Sequence, residues 1–212
     1  MPKFSLYLIF SIILSGCLHG EAKYDKNILA QKVSSSNLNI TQRAQEASSL
    51  NLAEKEVYFY QRFKKNFIIE PNLVKRYHHL NSSKIEAHID ESLLFLGYLA
   101  LRYQATEEEQ YQKLAHNIIK GIYYLENLDG FNGYLPRYVI KKGDTFTIAS
   151  EQIATNSYSL LAFAYLLAYQ NFTEPKIKNM LSKHYTTIIK YILNNNLELI
   201  EPDGSEVEFG KF

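Results

Sequence analysis

The chain has no tryptophan and a single cysteine in 212 residues. One cysteine allows no internal disulfide, and neither a thiolate metal cage nor a dithiol redox centre can be built from it. Charge of one sign is also missing in excess: 23 Lys and Arg stand against 22 Asp and Glu. A chain so balanced carries no electrostatic footprint for nucleic acid, and none is expected as a partner. There is no Gly-rich phosphate loop and no G-x-S-x-G nucleophile elbow. Histidines are few, and the one local group, His78, His79 and His88, has no ligand spacing of a known site. No metal and no cofactor is therefore expected. Tyrosine, by contrast, is abundant, with 17 copies. Its ring can stack on the apolar face of a sugar while the hydroxyl bonds, or it can fill a helix interface with its oxygen at the edge.

A short apolar run opens the chain. Met1-Pro2-Lys3 precedes "FSLYLIFSIIL", Phe4 to Leu14. A basic start and a short apolar core are the pattern of a secretory signal peptide, too short for the roughly 20 residues a spanning helix needs. "LSGC", Leu14 to Cys17, follows directly and resembles the lipobox of bacterial lipoproteins. That resemblance implies cleavage before Cys17, a diacylglycerol on its thiol and an acylated new amine, so residues 1–16 are read as signal and Cys17 as the lipid attachment. Each buried CH₂ adds about 0.8 kcal/mol, so several acyl chains hold far better than one. Leu18 rather than Asp follows the cysteine, which by the same resemblance favours the outer membrane within the bacterial cell envelope. Residues 17–40 are mostly polar and read as a lipidated tether.

Residues 41–212 read as one helical domain. "NLAEKEVYFYQRFKKNF" opens with Asn51 and Glu54 at capping-box spacing. Two copies of one unit follow. The first pairs "ESLLFLGYLALRYQ" (91–104) with a helix from Glu107 to about Asn127. The second pairs "SYSLLAFAYLLAYQ" (157–170) with one from Glu174 to about Asn195. An offset of about 66 residues lays Tyr103 on Tyr169 and Gln104 on Gln170, and Thr106 and Thr173 fall at the expected N-caps of the second helices. The first helix of each copy is apolar almost all round, as a buried helix is. The second carries a stripe: Tyr111, Leu114, Ile118, Ile122 and Leu125, then Ile177, Leu181, Tyr185, Ile188 and Ile192. Inner helices alternating with half-exposed outer ones predict two shells, an all-α architecture of repeated helical hairpins forming part of an α/α toroid or solenoid. The long outer-to-inner connections share I-E-P-[N/D] at 69–72 and 200–203 and [V/L]-x-R-Y at 74–77 and 135–138. Their turn residues predict short β-hairpins on one rim. Repeats that cannot bury their faces alone need about three neighbours. The visible units therefore predict either the first part of a larger toroid or a chain completed by a partner or by self-association at the open repeat edge.

"GYLPRYV" leading to "TNSYSLLAFAYLLAY", and "LELIEPDGSEVEFGKF" after an outer helix, are similar to secreted six-hairpin, glycosidase-like α/α toroid proteins. The resemblance covers about residues 66–212. It implies a glycan ligand and, if the chain is an enzyme, a hydrolase, lyase or epimerase. The alternatives are a non-catalytic binding or scaffold lipoprotein and a truncated inactive remnant. Glycosidases need two carboxylates flanking the scissile bond, about 5–10 Å apart. Asp90 or Glu91 with Glu151 are the candidates, because neighbouring inner helices pack about 8–10 Å apart. The competing role for Asp90 and Glu91 is to complement the N-terminus of their helix. Arg76, His88, Arg137, Tyr138 and Asn156 are the candidate substrate-binding residues. For the two arginines, whose motif recurs with the repeat, pinning the loops is the competing role.

Overall fold

The computed structural model describes residues 42, 45, 47–69, 72–76, 86–128, 133–136, 138–142, 145–148, 155–201 and 204–211. The signal segment, the lipobox with Cys17 and the tether lie outside the described residues. The chain divides into two compact units, Met1–Lys65 and Asn66–Phe212. The described residues are mostly helical, with a few short strands.

Helix α1, Leu52–Phe67, is the main described element of the first unit. The capping box is present in both directions. The Asn51 amide donates to Glu54 Oε2 at 2.9 Å, and the Glu54 amide donates to Asn51 Oδ1 at 3.0 Å. Lys64 and Lys65 sit in the last turn, where a cation complements the negative end of the helix dipole.

The second unit holds two helical hairpins. In the first, α2 (Ile89–Thr106) turns through two residues into α3 (Glu109–Glu126); in the second, α4 (Thr155–Asn171) turns through three into α5 (Pro175–Asn194). Both inner helices are one or two residues longer at each end than their apolar runs. The outer stripe is buried in α3 at Tyr111, Ile118, Ile122 and Leu125. In α5 it is shifted: His184 is buried, and Tyr185 stands 38% exposed.

Neither expected threonine is the N-cap residue of its helix, although the Thr106 hydroxyl accepts the Glu108 amide at 3.3 Å. Glu108 and Glu174 are the N-caps of α3 and α5, and neither makes a side-chain cap bond. Thr106 instead closes α2, where its hydroxyl donates to the Arg102 carbonyl at 2.8 Å. Glu107 takes a left-handed conformation there (φ 55°), and its amide bonds back to Tyr103 O at 2.7 Å. Thr173 lies two residues before α5 and shares a 2.7 Å hydrogen bond with the Tyr103 hydroxyl. The start of α5 is capped from the other hairpin. Gln112 Oε1 of α3 accepts the amides of Thr173 (2.9 Å) and Glu174 (3.1 Å), and Pro175 follows at the first helical position, where it has no amide to satisfy.

The long connections do carry β-hairpins. The pairs are β1 (Ile68–Ile69) with β2 (Leu73–Arg76), β4 (Tyr138–Lys142) with β5 (Thr145–Ile148), and β6 (Glu198–Ile200) with β7 (Glu206–Lys211). Asn72 (φ 75°) and Gly204 (φ 87°) provide the left-handed turn positions after the two I-E-P sequences. The first two hairpins join through β3 (Glu86–His88) into one antiparallel sheet of order β1-β2-β3-β4-β5, with Glu86 opposite Ile140 and His88 opposite Tyr138. The sheet is fastened to α2 by Ser92, whose hydroxyl accepts the Val74 amide at 2.9 Å and donates to His88 O at 2.8 Å. The core of this unit lies between the hairpins and under the sheet. Leu93, Leu96 and Leu99 of α2, Ile118 and Ile122 of α3, Leu161 of α4, and Leu73 and Val139 of the strands are all fully buried.

Candidate functional site

Strand β3 delivers His88 directly into α2. His88 keeps an extended backbone (φ −112°, ψ 133°) and acts as the N-cap without a side-chain cap bond. Asp90 and Glu91 fall in the first turn, where unpaired backbone amides favour negative charge. Glu91 reaches back three residues, its Oε2 2.8 Å from Nδ1 of the buried His88. Asp90 reaches sideways to the next inner helix: its Oδ1 accepts the Ser157 hydroxyl at 2.5 Å. Asn156, one residue earlier on α4, is exposed. The structure therefore brings Asp90 to the start of α4 and Glu91 to His88, with the backbone of Tyr138 across the ladder from His88. Arg76 is in β2, its backbone opposite Glu86; its side chain and that of Tyr138 lie outside the described residues. So do Arg137 and Glu151 altogether. Among the described residues no group of three or more His, Cys, Asp or Glu is placed to hold a metal ion.

A second constellation was not anticipated from the sequence. Glu126, at the end of α3, forms an ion pair through Oε2 with Nε2 of His184 on α5. Nδ1 of the same ring is hydrogen-bonded to the Tyr165 hydroxyl of α4. All three are almost completely buried, and the Tyr123 ring meets the imidazole edge-on at 5.4 Å. Burial, and then the negative charge of Glu126, push the Tyr165 hydroxyl well above its ordinary range. His184 sits three residues after Leu181 and four before Ile188, and that stripe position was the one signal that could have placed it inside.

Beside this group a tyrosine set locks the loops. Tyr134 donates to Glu201 Oε2 at 2.7 Å, linking the connection before β4 to the β6–β7 hairpin. Tyr158 donates to Gly133 O at 3.2 Å and accepts the Leu135 amide at 3.0 Å. Tyr191 donates to Ile200 O at 2.5 Å and accepts the Ile200 amide at 3.0 Å. Burial raises the titration of all three, reinforced for Tyr134 by the Glu201 carboxylate. These hydroxyls are spent on the fold. Two other rings at the same end are open: Tyr123 and Tyr124, near the C-terminus of α3, are each 40% exposed. Tyr124 lies edge-on to Phe146 of β5, with ring centroids 6.3 Å apart.

No protein-family model matches this chain, and no curated protein or solved structure is significantly similar to it.

Proposed function

We propose that the chain is a bacterial envelope lipoprotein, anchored through Cys17, whose helical domain is a segment of an α/α toroid that binds a glycan at its loop-bearing end without cleaving it. The observation that carries binding over catalysis is the state of the two described candidate carboxylates. Asp90 holds Ser157 and Glu91 holds His88. Glycoside cleavage needs one carboxyl to protonate the leaving oxygen and another to act on water or the sugar. Each of these carboxylates already has a contact within the protein that serves the fold. The toroid reading is supported by the two short-turned hairpins and by the long connections, which gather into strands. The glycan reading draws on the family resemblance and on Tyr123 and Tyr124, whose open rings are of the kind that stack on sugar faces. The anchor rests on the lipobox residues Leu14 to Cys17.

The test is a panel of oligosaccharides, scored separately for binding and for product release. The expected result is binding without turnover. Tyr124→Ala weakens binding, whereas Asp90→Asn and Glu91→Gln lower the melting temperature and leave affinity intact. Turnover that vanishes in Asp90→Asn or Glu91→Gln would overturn this reading in favour of the hydrolase, lyase or epimerase. For the anchor, the N-terminal peptide of protein taken from its own membranes should begin at Cys17 and carry acyl chains; an unacylated peptide sinks it.

A further inference from the structure

Helices α3 and α5 are the second helices of the two hairpins, yet their charges differ. α3 carries two glutamates and two lysines, with Lys113 and Glu109 3.8 Å apart. α5 carries Lys176, Lys178, Lys183 and Lys190 and no acid in 20 residues. The fold of an outer helix in this repeat does not call for that excess. Lys178 lies over the Tyr169 ring, 5.3 Å from its centroid. Lys176, Lys183 and Lys190 follow at seven-residue steps and so form one exposed row. Among the described residues no ion pair involves any of the three. A second row runs beside it at steps of four: Tyr185, Ile189 and Leu193, which are 38%, 36% and 59% exposed. Thr186 lies between the rows, and its hydroxyl donates to Ser182 O at 2.7 Å, so it asks little of water. The field toward α3 is also positive. Burial, and then Lys120, hold the His116 imidazole below its ordinary value; Glu174 opposes them and Lys176 adds to them.

We infer that the exposed side of α5 docks on an anionic lipid bilayer, its lysine row against the headgroups and Ile189 and Leu193 in the acyl boundary. Charge complementarity selects this occupant. A lysine row beside an apolar row, with no acid on the helix, is the pattern of a helix lying in a membrane interface. A further helical hairpin would cover the apolar row but would have to bring acids for three cations. A bilayer offers its counter-charge as a plane, along all of the roughly 21 Å from Lys176 to Lys190 at 1.5 Å per residue. The inference is independent of the glycan reading. It rests on the anchor reading only for the nearness of a membrane, and the test therefore uses unlipidated protein.

The chain from residue 17 carrying Cys17→Ser is mixed with vesicles, so that neither the apolar run Phe4 to Leu14 nor an acyl chain binds on its own. The expected result is co-sedimentation with vesicles of phosphatidylglycerol and phosphatidylcholine in equal parts, weakened by salt, and none with phosphatidylcholine alone. Each lysine at such a surface contributes about 5-fold, so Lys183→Gln with Lys190→Gln weakens binding on the order of 25-fold. Lys55→Gln with Lys141→Gln removes the same charge from α1 and β4 and leaves binding where it was. The helical circular dichroism spectrum stays unchanged in the first pair, because both side chains are exposed. Since the chain has no tryptophan, a single one reports the contact point. Leu193→Trp emission moves to the blue on the anionic vesicles, whereas Leu94→Trp, at an equally exposed position of α2, does not move. Absence of vesicle binding overturns the inference and leaves the face to an acidic protein. Equal binding to both kinds of vesicle overturns it too, as does an equal loss in the two lysine pairs or a shift in Leu94→Trp instead of Leu193→Trp.

Discussion

A single methyl group added at Gly133 probes the joint between the two hairpins and their loops. Gly133 holds φ at 93°, and a Cβ there would stand 2.4 Å from Tyr191 Cβ and 3.0 Å from the Thr187 carbonyl oxygen. Both neighbours belong to α5 and neither is the end of a flexible side chain, so the loop or the helix must move. Left-handed strain in a residue with a Cβ costs roughly 1–2 kcal/mol, and overpacking a tight contact typically adds about 1–3 kcal/mol. The Tyr158 hydroxyl bonds to Gly133 O and the Leu135 amide lie in the displaced segment, each contributing about 1 kcal/mol. Against this, alanine restricts the unfolded chain and returns about 0.4–1 kcal/mol. The net expectation for Gly133→Ala is a loss of about 3–5 kcal/mol.

Gly204 supplies the internal control. Its φ is 87°, almost the same, but nothing lies within 4 Å of a Cβ built there. Gly204→Ala therefore keeps the backbone strain and drops the collision, for a loss of about 1 kcal/mol or less. At about 2–4 °C per kcal/mol for a domain of this size, the two variants should differ by roughly 10 °C in melting temperature. Thermal unfolding followed by circular dichroism at 222 nm reads both. Equal shifts would refute the close approach of the Gly133 loop to α5, because the strain common to both sites would then account for everything.

Two further perturbations address the buried polar groups. Glu126→Ala leaves His184 facing a void in a dry interior, and removing one member of a buried pair costs about 3–5 kcal/mol. The double variant Glu126→Leu with His184→Leu should recover most of that in urea denaturation, and simple additivity of the single losses would disprove the pairing. The second uses alkaline titration, which absorbance near 295 nm reads cleanly in a chain without tryptophan. Tyr134, Tyr158, Tyr165 and Tyr191 all have hydroxyls raised above the ordinary value of 10.0. A group raised in the folded state stabilises it fully below its unfolded value and loses that contribution as pH climbs above it. Stability should hold up to about pH 10 and fall beyond it, with at least these four tyrosines ionising only as the fold is lost; full ionisation of all 17 near pH 10 in a still-helical protein would contradict their burial.

Where the sequence pattern was reliable, one local force decides the outcome. The stripe Tyr111, Ile118, Ile122 and Leu125 marks a buried helical face because burial repeats with the helical period. Asn51 and Glu54 form their reciprocal cap because both partners lie within four residues. Long-range partners are what a linear pattern does not carry. Strand β3 is only Glu86–His88 and becomes a strand by pairing with Val139 and its neighbours across two intervening helices. Tyr185 fits an apolar stripe better than His184, yet the histidine is inside, with Glu126 against its Nε2 and the Tyr165 hydroxyl hydrogen-bonded to its Nδ1. Thr106 and Thr173 have the right chemistry for caps, but each hydroxyl finds another partner, Arg102 O in one case and Tyr103 in the other. The uncharged α4 reads as buried all round, yet Leu166 is 55% and Tyr169 46% exposed.

The polar contacts share a placement that apolar packing alone does not explain. Asp90 with Ser157, Tyr103 with Thr173, Gln112 with the start of α5, and Glu126 with His184 each join the first hairpin to the second. They are spread from one end of the hairpins to the other. Leucine-rich inner helices such as α2 and α4 can slide past one another by a turn at small cost, since apolar contact is non-directional. A buried acceptor that loses its donor in the slid register costs about 1–3 kcal/mol, and more when charged. The buried Glu126–His184 pair and the part-buried ties of Asp90 and Gln112 penalise a slid register, while the exposed Tyr103–Thr173 bond adds less. This also bears on the carboxylates expected to do chemistry. Asp90 stands where an inner helix begins beside the next inner helix, the place where a catalytic acid would be useful and where a register lock is most effective. Its hydrogen bond to Ser157 ties the start of α2 to the start of α4.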